Sequence, residues 1–174
     1  LESVICNYTF DGKTRDHSFE EKYRDLSNEE LHLLLKDLDI EAIYIPKDME
    51  NIKNAILDLK EKGCELIITT GGMSVDPDDK TPGAIKQTGA NVISYGAPVL
   101  PGAMFCLAYF EDGTPILGLP GCAMYAKATI FDLMLPRVAA KIPITRKDIT
   151  MLGHGGLCLG CEECRYPACS FGKA

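Results

Sequence analysis

The sequence lacks an apolar run long enough to cross a membrane, and it lacks a charged-then-apolar leader. Its 174 residues carry 18 basic and 25 acidic side chains, a formal net charge of −7, without a basic stripe that could neutralise nucleic-acid phosphates. We therefore expect a soluble, cytoplasmic protein with no nucleic-acid partner. No internal repeat or low-complexity linker is visible, so one sizeable core is predicted. A start at Leu1 rather than methionine is typical of a fragment or of the end of a longer protein.

The cysteines give no sign of a disulfide framework, because the chain has enough apolar sequence for a core and no secretion signal. Cys6, Cys64 and Cys106 are interpreted as small buried side chains. Cys122 follows a glycine turn, and the other four cysteines are crowded into the tail. These five are the candidates for chemistry.

The most informative segment is a short β-branched run that ends in two glycines. Leu66 to Thr70 is predicted as a buried strand, and Gly71 and Gly72 allow a positive φ and the close approach of a ligand. Thr81 and Pro82 predict the N-cap and first position of a helix. Strand, glycine turn and helix N-terminus together predict an anion site. The acids that could hold a hard cation such as Mg²⁺ beside it are Asp76, Asp78 and Asp79.

A second segment of the same kind lies downstream. Pro115 to Gly121 is an apolar strand that ends in a Pro-Gly turn, and a helix is predicted from about Ala123 to Leu133. In an open α/β sheet, the loops at the carboxyl ends of neighbouring strands line one crevice. The two turns therefore predict one ligand site, although a lone glycine turn is more often a tight strand-to-helix connection with solvated acids.

Strands alternate with helices along the chain. The predicted strands span 4–10, 40–45, 66–70, 91–94, 105–110 and 115–119, and an Asp-Gly pair between the last two predicts a hairpin. The predicted helices span 27–38, 51–62, 82–89 and 123–133. The fold class is therefore α/β, a three-layer α/β/α arrangement with a mainly parallel sheet plus one antiparallel hairpin, followed by a short cysteine-rich C-terminal tail.

Both turns resemble the molybdopterin-binding domain of molybdenum-cofactor biosynthesis. The run Thr-Thr-Gly-Gly-Met-Ser-Val from Thr69, the pair Thr81 and Pro82, and the run Gly-Leu-Pro-Gly ending at Gly121 are similar to that family's ligand loops. The resemblance covers roughly 40–140. It implies a three-layer domain that often trimerises and that binds molybdopterin across the two loops.

Two branches of the family are similar to this sequence. Gly-Gly-Met-Ser-Val, the Pro101-Gly102 turn and the Asp-Gly hairpin resemble the molybdenumtransferase branch, which inserts molybdate. Asp-Lys-Thr-Pro-Gly-Ala from Asp79 resembles the adenylyltransferase branch, which activates molybdopterin with ATP and Mg²⁺. The resemblance implies Asp79 and Asp48 as catalytic acids. It implies that the ligand is contacted by Gly71, Gly72, Met73, Ser74, Thr81, Pro120, Gly121 and Cys122.

The sequence departs from the family pattern in three places. A glycine-rich first loop is not visible in 1–26, the usual Pro-Asp-Asp reads Pro46-Lys47-Asp48, and the residues after the second turn, 122–125, are Cys-Ala-Met-Tyr. Molybdopterin binding is therefore better supported than any catalytic step. The leading hypothesis is an enzyme of molybdate insertion. The alternative is a non-catalytic molybdopterin-binding or sensing module with a redox or metal-sensing tail.

The tail contains the second motif. Cys158, Cys161 and Cys164 follow one another at gaps of two residues, and Cys169 follows after four more. Four soft ligands at this spacing predict a metal centre that resembles [4Fe–4S] ligation more closely than the separated pairs of structural Zn²⁺. Free or redox-active thiols are the third alternative. The chain is thus divided into a molybdopterin-binding domain, 1–145, and a metal-binding tail, 146–174.

Overall fold

The computed structural model describes residues 3–7, 42–45, 48–73 and 76–173. Its strands, in chain order, are β1 (Ser3–Asn7), β2 (Ala42–Ile45), β3 (Ile67–Thr70), β4 (Asn91–Tyr95), β5 (Cys106–Tyr109) and β6 (Pro115–Leu119). Its α-helices are α1 (Met49–Glu61), α2 (Thr81–Gln87), α3 (Ile130–Ala139) and α4 (Arg146–Met151). Two 3₁₀ turns are formed by Gly121–Met124 and Leu152–His154.

The six described strands form one sheet in the order β2-β1-β3-β6-β5-β4. Among them, β3 and β6 pair in parallel, and the other four neighbouring pairs are antiparallel. The α/β class and the β5–β6 hairpin are confirmed, but the prediction of a mainly parallel sheet is wrong for these strands. The reason is that β4 and β5 are joined by a loop without a crossover helix, so that β5 runs opposite to both its neighbours.

Successive side chains of the sheet alternate between two apolar clusters. Ile67 and Ile116 pack in a first cluster with residues of α1 and α2. Ile68 and Leu117 pack in a second cluster with residues of α3 and α4. All five residues of β6 are buried. Because neighbours along a strand point to opposite faces, the helices cover both faces of the sheet at its centre.

Helix α1 confirms the predicted amphipathic segment. The Asp48 carboxylate caps it by accepting a hydrogen bond from the Asn51 N–H at 3.1 Å. Gly63, with a φ of +83°, ends it as predicted. Its buried side chains recur at the spacing of one helix face: Ile52, Ala55, Ile56 and Leu59.

The segment after the second glycine turn differs from the single helix predicted at 123–133. Gly121–Met124 form a 3₁₀ turn, and α3 begins only after Thr129. The Thr129 hydroxyl accepts from the Phe131 N–H at 3.1 Å, and the Asp132 carboxylate accepts from the Thr129 N–H at 2.7 Å. This reciprocal capping box fixes the start of α3 and so separates it from the turn.

Several predicted features lie outside the described residues. They are the capping box and helix at 27–38, the departure at Lys47, and Ser74. Within the described part, none of the helices has the length and apolar character needed to pass through a bilayer.

The middle of β6 contains a close approach that only glycine allows. A Cβ at Gly118 would lie 2.6 Å from Met73 Cε and 3.0 Å from Cys106 Cβ. Met73 is only 2% exposed. Its side chain therefore fills the space above Gly118 and anchors the chain just after the first glycine turn.

We expect Gly118→Ala to destabilise the protein by about 1–3 kcal/mol, because the added methyl overpacks a core contact. Urea unfolding measures the change in free energy. Gly121→Ala is the matched control, since a Cβ there meets nothing within 4 Å. Equal stability of the two variants would contradict the packing assigned to Met73.

Candidate functional site

Four of the six described strands, β2, β3, β6 and β4, run in the same direction, so their carboxyl ends lie at one edge of the sheet. Strands β3 and β6 are parallel, with Thr70 opposite Leu119. Strand β4 is separated from β6 by two antiparallel pairings, so it points the same way. The chain segments that follow β3, β6 and β4 therefore leave the sheet side by side. The structure brings the two predicted glycine turns together at this edge.

The first turn is built around two left-handed glycines. Gly71 and Gly72 have φ values of +79° and +59°. The Thr81 hydroxyl donates a hydrogen bond to the Gly71 carbonyl oxygen at 2.9 Å, and a Cβ on Gly72 would lie 2.7 Å from Thr81 Oγ1. The turn is thus folded back against the start of α2, and side chains are kept off the backbone surface that a ligand would approach.

Thr81 has a different role from the N-cap that the sequence predicted. The N-cap of α2 is Lys80, whose side chain makes no capping hydrogen bond. Thr81 is fully buried, since its hydroxyl is used to close the glycine turn. Thr81 therefore positions the turn, and the buried Met73 side chain does the same from the other side. Only the main chain of Met73 is left for ligand contact.

The acidic loop forms a tight turn of its own. The Asp76 carboxylate accepts from the Asp78 N–H at 3.0 Å, and the Asp79 N–H donates to the Asp76 carbonyl oxygen at 3.0 Å. Asp48 is occupied as the cap of α1. In the part of the chain that is described, no three His, Cys, Asp or Glu side chains are grouped so that they could hold a metal ion. The acids predicted to bind Mg²⁺ are therefore not gathered into a ready-made cation site.

Tyr95 is a candidate site residue that the sequence did not reveal. It ends β4 at the edge that carries the glycine turns, and it is 44% exposed. Partial burial raises the pKa of its hydroxyl, and the negative charges of Asp79 and of a Cys106 thiolate add to the rise. Asp79 therefore acts electrostatically on the end of β4. The predicted hairpin could have revealed this position. Strand β4 is antiparallel to β5, and β5 is antiparallel to β6, so β4 must point in the same direction as β6.

The second turn places Pro120, Gly121 and Cys122 beside the first. Pro120 is buried, Gly121 is exposed and Cys122 is half-buried at the start of the 3₁₀ turn. Burial raises the pKa of the Cys122 thiol, although hydrogen bonds from the backbone of Cys122 and of Gly102 oppose the rise. A raised pKa keeps the group as a thiol at neutral pH, so Cys122 is not an activated nucleophile.

The four tail cysteines all line one cavity of about 410 Å³. Cys161 is exposed, whereas Cys158, Cys164 and Cys169 are half-buried. The four cysteines of the motif therefore border one cavity. Among the described residues, however, they are not arranged as ligands of one metal ion.

A larger cavity of about 940 Å³ lies at the opposite edge of the sheet, where Leu66, Asn91 and Pro115 begin or precede their strands. Neither glycine turn lines it. We assign the ligand site to the edge with the glycine turns because there the turns after the parallel strands β3 and β6 lie next to each other.

Replacing Asp79 with Asn should lower the pKa of Tyr95 toward its ordinary value of 10.0, because one of the charges that favour the neutral phenol is removed. A group with a raised folded pKa contributes stability that is fully present below its unfolded pKa and is lost as pH rises through the folded pKa. Asp79→Asn should therefore lessen the loss of stability above pH 10.0. Ultraviolet difference titration, with Tyr95→Phe to assign the signal, measures the shift. Asp78→Asn is the matched control, and an unchanged Tyr95 titration in Asp79→Asn would refute the coupling.

A comparison with known families agrees with this geometry. A family model described as a probable molybdopterin binding domain matches residues 14–140, which include α1, α2, all the strands from β2 to β6 and both glycine turns. The match covers well over half of the chain. It supports molybdopterin as the ligand and a role in molybdenum-cofactor biosynthesis. The chain belongs to the molybdopterin-binding domain family.

Proposed function

We propose that this chain binds molybdopterin across the two glycine turns and acts at the molybdate insertion step of cofactor biosynthesis. The observation that carries the proposal is the pairing of Thr70 with Leu119, which sets the turn after β3 next to the turn after β6. Family membership supplies the ligand. The insertion step itself is supported by the sequence resemblance to the molybdenumtransferase branch.

The residues at this edge have the properties that a flat, phosphate-bearing ligand requires. Gly71 and Gly72 present main chain without side chains, which suits hydrogen bonding from backbone N–H groups to a phosphate. Gly121 is exposed next to them, and a Cβ there would meet nothing within 4 Å. Helix α2 has only seven residues, so its dipole is a minor term and the turn itself carries the anion contact.

Asp79 is the acid that we assign to the chemical step. It lies at the carboxyl-end edge, close enough to raise the pKa of Tyr95. Its role in an insertion mechanism would be to order molybdate or to contribute one oxygen to a bound Mg²⁺, with ligand and water oxygens completing the shell. Asp48, the second predicted acid, precedes Met49, whose sulfur accepts a hydrogen bond from Gln87 of α2. That contact keeps the start of α1 beside the helix that follows Asp79.

The second candidate function is a non-catalytic module that binds or senses molybdopterin. It is favoured by the acids, which are not gathered into a cation site among the described residues. Titration with molybdopterin in the presence and absence of molybdate separates the two functions. An enzyme of insertion converts the ligand to the molybdenum form, whereas a binding module retains it unchanged.

A homo-oligomer, a trimer by family resemblance, and a cytoplasmic location are also part of the proposal. The α/β/α layering expected of the family is supported by the helices packed on both sheet faces. Light scattering in solution tests the trimer.

Gly72→Ala should weaken molybdopterin binding by more than about tenfold, because the new Cβ collides with Thr81 Oγ1 and opens the turn. Gly89→Ala is the matched control. Gly89 also has a positive φ, +84°, but a Cβ there meets nothing within 4 Å. Fluorescence titration measures the affinity. If both variants bind equally well, or lose affinity equally, the turn does not contact the ligand.

Asp79→Ala should abolish cofactor maturation and leave molybdopterin affinity nearly unchanged, because the carboxylate acts on the chemical step. Reconstitution of a molybdenum-free acceptor enzyme measures maturation, and Asp78→Ala serves as the control. Wild-type maturation by Asp79→Ala would overturn the catalytic assignment.

A further inference from the structure

The tail is a loop whose two ends are fastened to the domain and to each other. At its start, the Leu100 N–H donates to the Gly156 carbonyl oxygen at 2.7 Å and the Cys158 N–H donates to the Leu100 carbonyl oxygen at 2.8 Å. At its end, the Gly172 N–H donates to the Gly155 carbonyl oxygen at 2.8 Å. The loop between 155 and 172 is therefore closed at its base.

Glycine is required at this base because the backbones approach closely. A Cβ at Gly155 would lie 2.1 Å from the Lys173 carbonyl oxygen, and one at Gly156 would lie 2.1 Å from the Pro98 carbonyl oxygen. Phe171, 3% exposed, packs in the second apolar cluster, and the Tyr166 hydroxyl donates to the Asp132 carbonyl oxygen at 2.8 Å. The base is thus built into the domain.

The middle of the loop is largely exposed to solvent. Leu159 is 75% exposed, and Cys161, Glu162 and Glu163 are also exposed. Cys158 and Cys169 pack against the second apolar cluster, so two thiols are held at the base. Cys161 is exposed and Cys164 is half-buried, and all four cysteines border the same cavity.

We propose that Cys158, Cys161, Cys164 and Cys169 bind one metal centre in this cavity, a [4Fe–4S] cluster, and that the centre holds the loop against the second glycine turn. The loop is closed at its base, its middle is exposed, and its four thiols surround one cavity. In such a site the free energy of metal binding orders the loop. Because the thiols are not arranged as ligands of one ion among the described residues, loading must bring them closer together.

The charges around the cavity suit such a centre. Lys127 and Arg165 line it, and their positive charges would offset the negative charge of a thiolate-ligated centre. Glu162 also lines the cavity, but its carbonyl oxygen accepts a hydrogen bond from Lys127 Nζ at 2.8 Å. That bond joins the tail to the segment that follows the second turn.

The cavity is bordered by residues of the loop after β4 and of the segment that follows the second glycine turn. Pro101, Ala126 and Ala128 line it, and the last two follow directly after the second turn. The Pro101 carbonyl oxygen accepts from the Ile130 N–H at 3.2 Å, and the backbone of Gly102 hydrogen-bonds to the Cys122 thiol. A metal centre that restrains these residues would also restrain the turn that carries Cys122. This coupling rests on the proposed function, whereas the metal site does not.

Metal content tests the site without reference to molybdopterin. Protein purified without oxygen should contain iron and acid-labile sulfide in equal amounts and show the broad visible absorbance of an iron–sulfur cluster. Each of Cys158→Ser, Cys161→Ser, Cys164→Ser and Cys169→Ser should lose most of that iron. Cys64→Ala, a buried cysteine of the first cluster, and Ser170→Ala, an exposed neighbour in the loop, should retain it.

Metal analysis distinguishes a wrong metal from a wrong site. Stoichiometric zinc without sulfide would overturn the cluster assignment, and full metal content in all four serine variants would overturn the site. Circular dichroism of the four variants shows whether the domain remains folded, and alkylation of the tail thiols should be blocked only in the loaded protein.

The coupling is tested by removing the metal from the wild-type protein. Depletion should speed amide hydrogen exchange in 96–102 and 120–128 and weaken molybdopterin binding on the order of tenfold. Equal exchange and equal affinity with and without metal would refute the coupling. A protein that shows the exchange difference but binds no molybdopterin would refute the proposed function and leave the metal site intact.

Discussion

The candidate site depends on the absence of a side chain at Gly118. That absence lets Met73 lie in the first apolar cluster above the centre of β6. Because the buried Met73 side chain holds the chain against β6, the two preceding glycines must turn sharply. The Thr81 hydroxyl holds that turn by its hydrogen bond to the Gly71 carbonyl oxygen. A core contact thus shapes a surface feature, because densely packed interiors transmit small changes of volume.

The second turn is held by a different device. The capping box of Thr129 and Asp132 sets the start of α3 at Ile130, so residues 121–128 form only a short 3₁₀ turn and a loop. Gly102, with a φ of +116°, packs so tightly against Ile130 that a Cβ would lie 2.5 Å from Ile130 Cγ2. One turn is therefore fixed from the core and the other from the start of a helix and from the loop after β4. The segment that follows the second turn, 126–128, also lines the cavity of the cysteine tail.

The sequence was sufficient for the features that depend on local chemistry. The face of α1, its end at Gly63, the hairpin and the two glycine turns follow from periodicity and from residues that favour positive φ. Strand direction does not follow from local sequence. The prediction of a mainly parallel sheet was wrong because strands joined by loops without crossover helices pair antiparallel. Roles set by tertiary contacts were missed in the same way. Nothing next to Thr81 in the sequence shows that its hydroxyl binds a carbonyl ten residues earlier, and nothing next to Tyr95 shows that Asp79 lies close.

The two parts of the chain differ in how much of their binding geometry is already formed. The glycine turns are shaped by buried contacts before any ligand arrives, so the free energy of binding is not spent on ordering them. The tail has its base formed and its middle exposed, so the metal centre proposed there would supply the free energy of ordering. A preformed site allows a small, flat ligand to bind and dissociate without refolding. A site that is ordered only by its bound metal must unfold locally to release that metal. Residues 126–128, which follow the second turn, line the cavity of the tail. A metal centre bound in that cavity would therefore affect the shape of the second turn, and the reverse effect is equal by thermodynamic linkage.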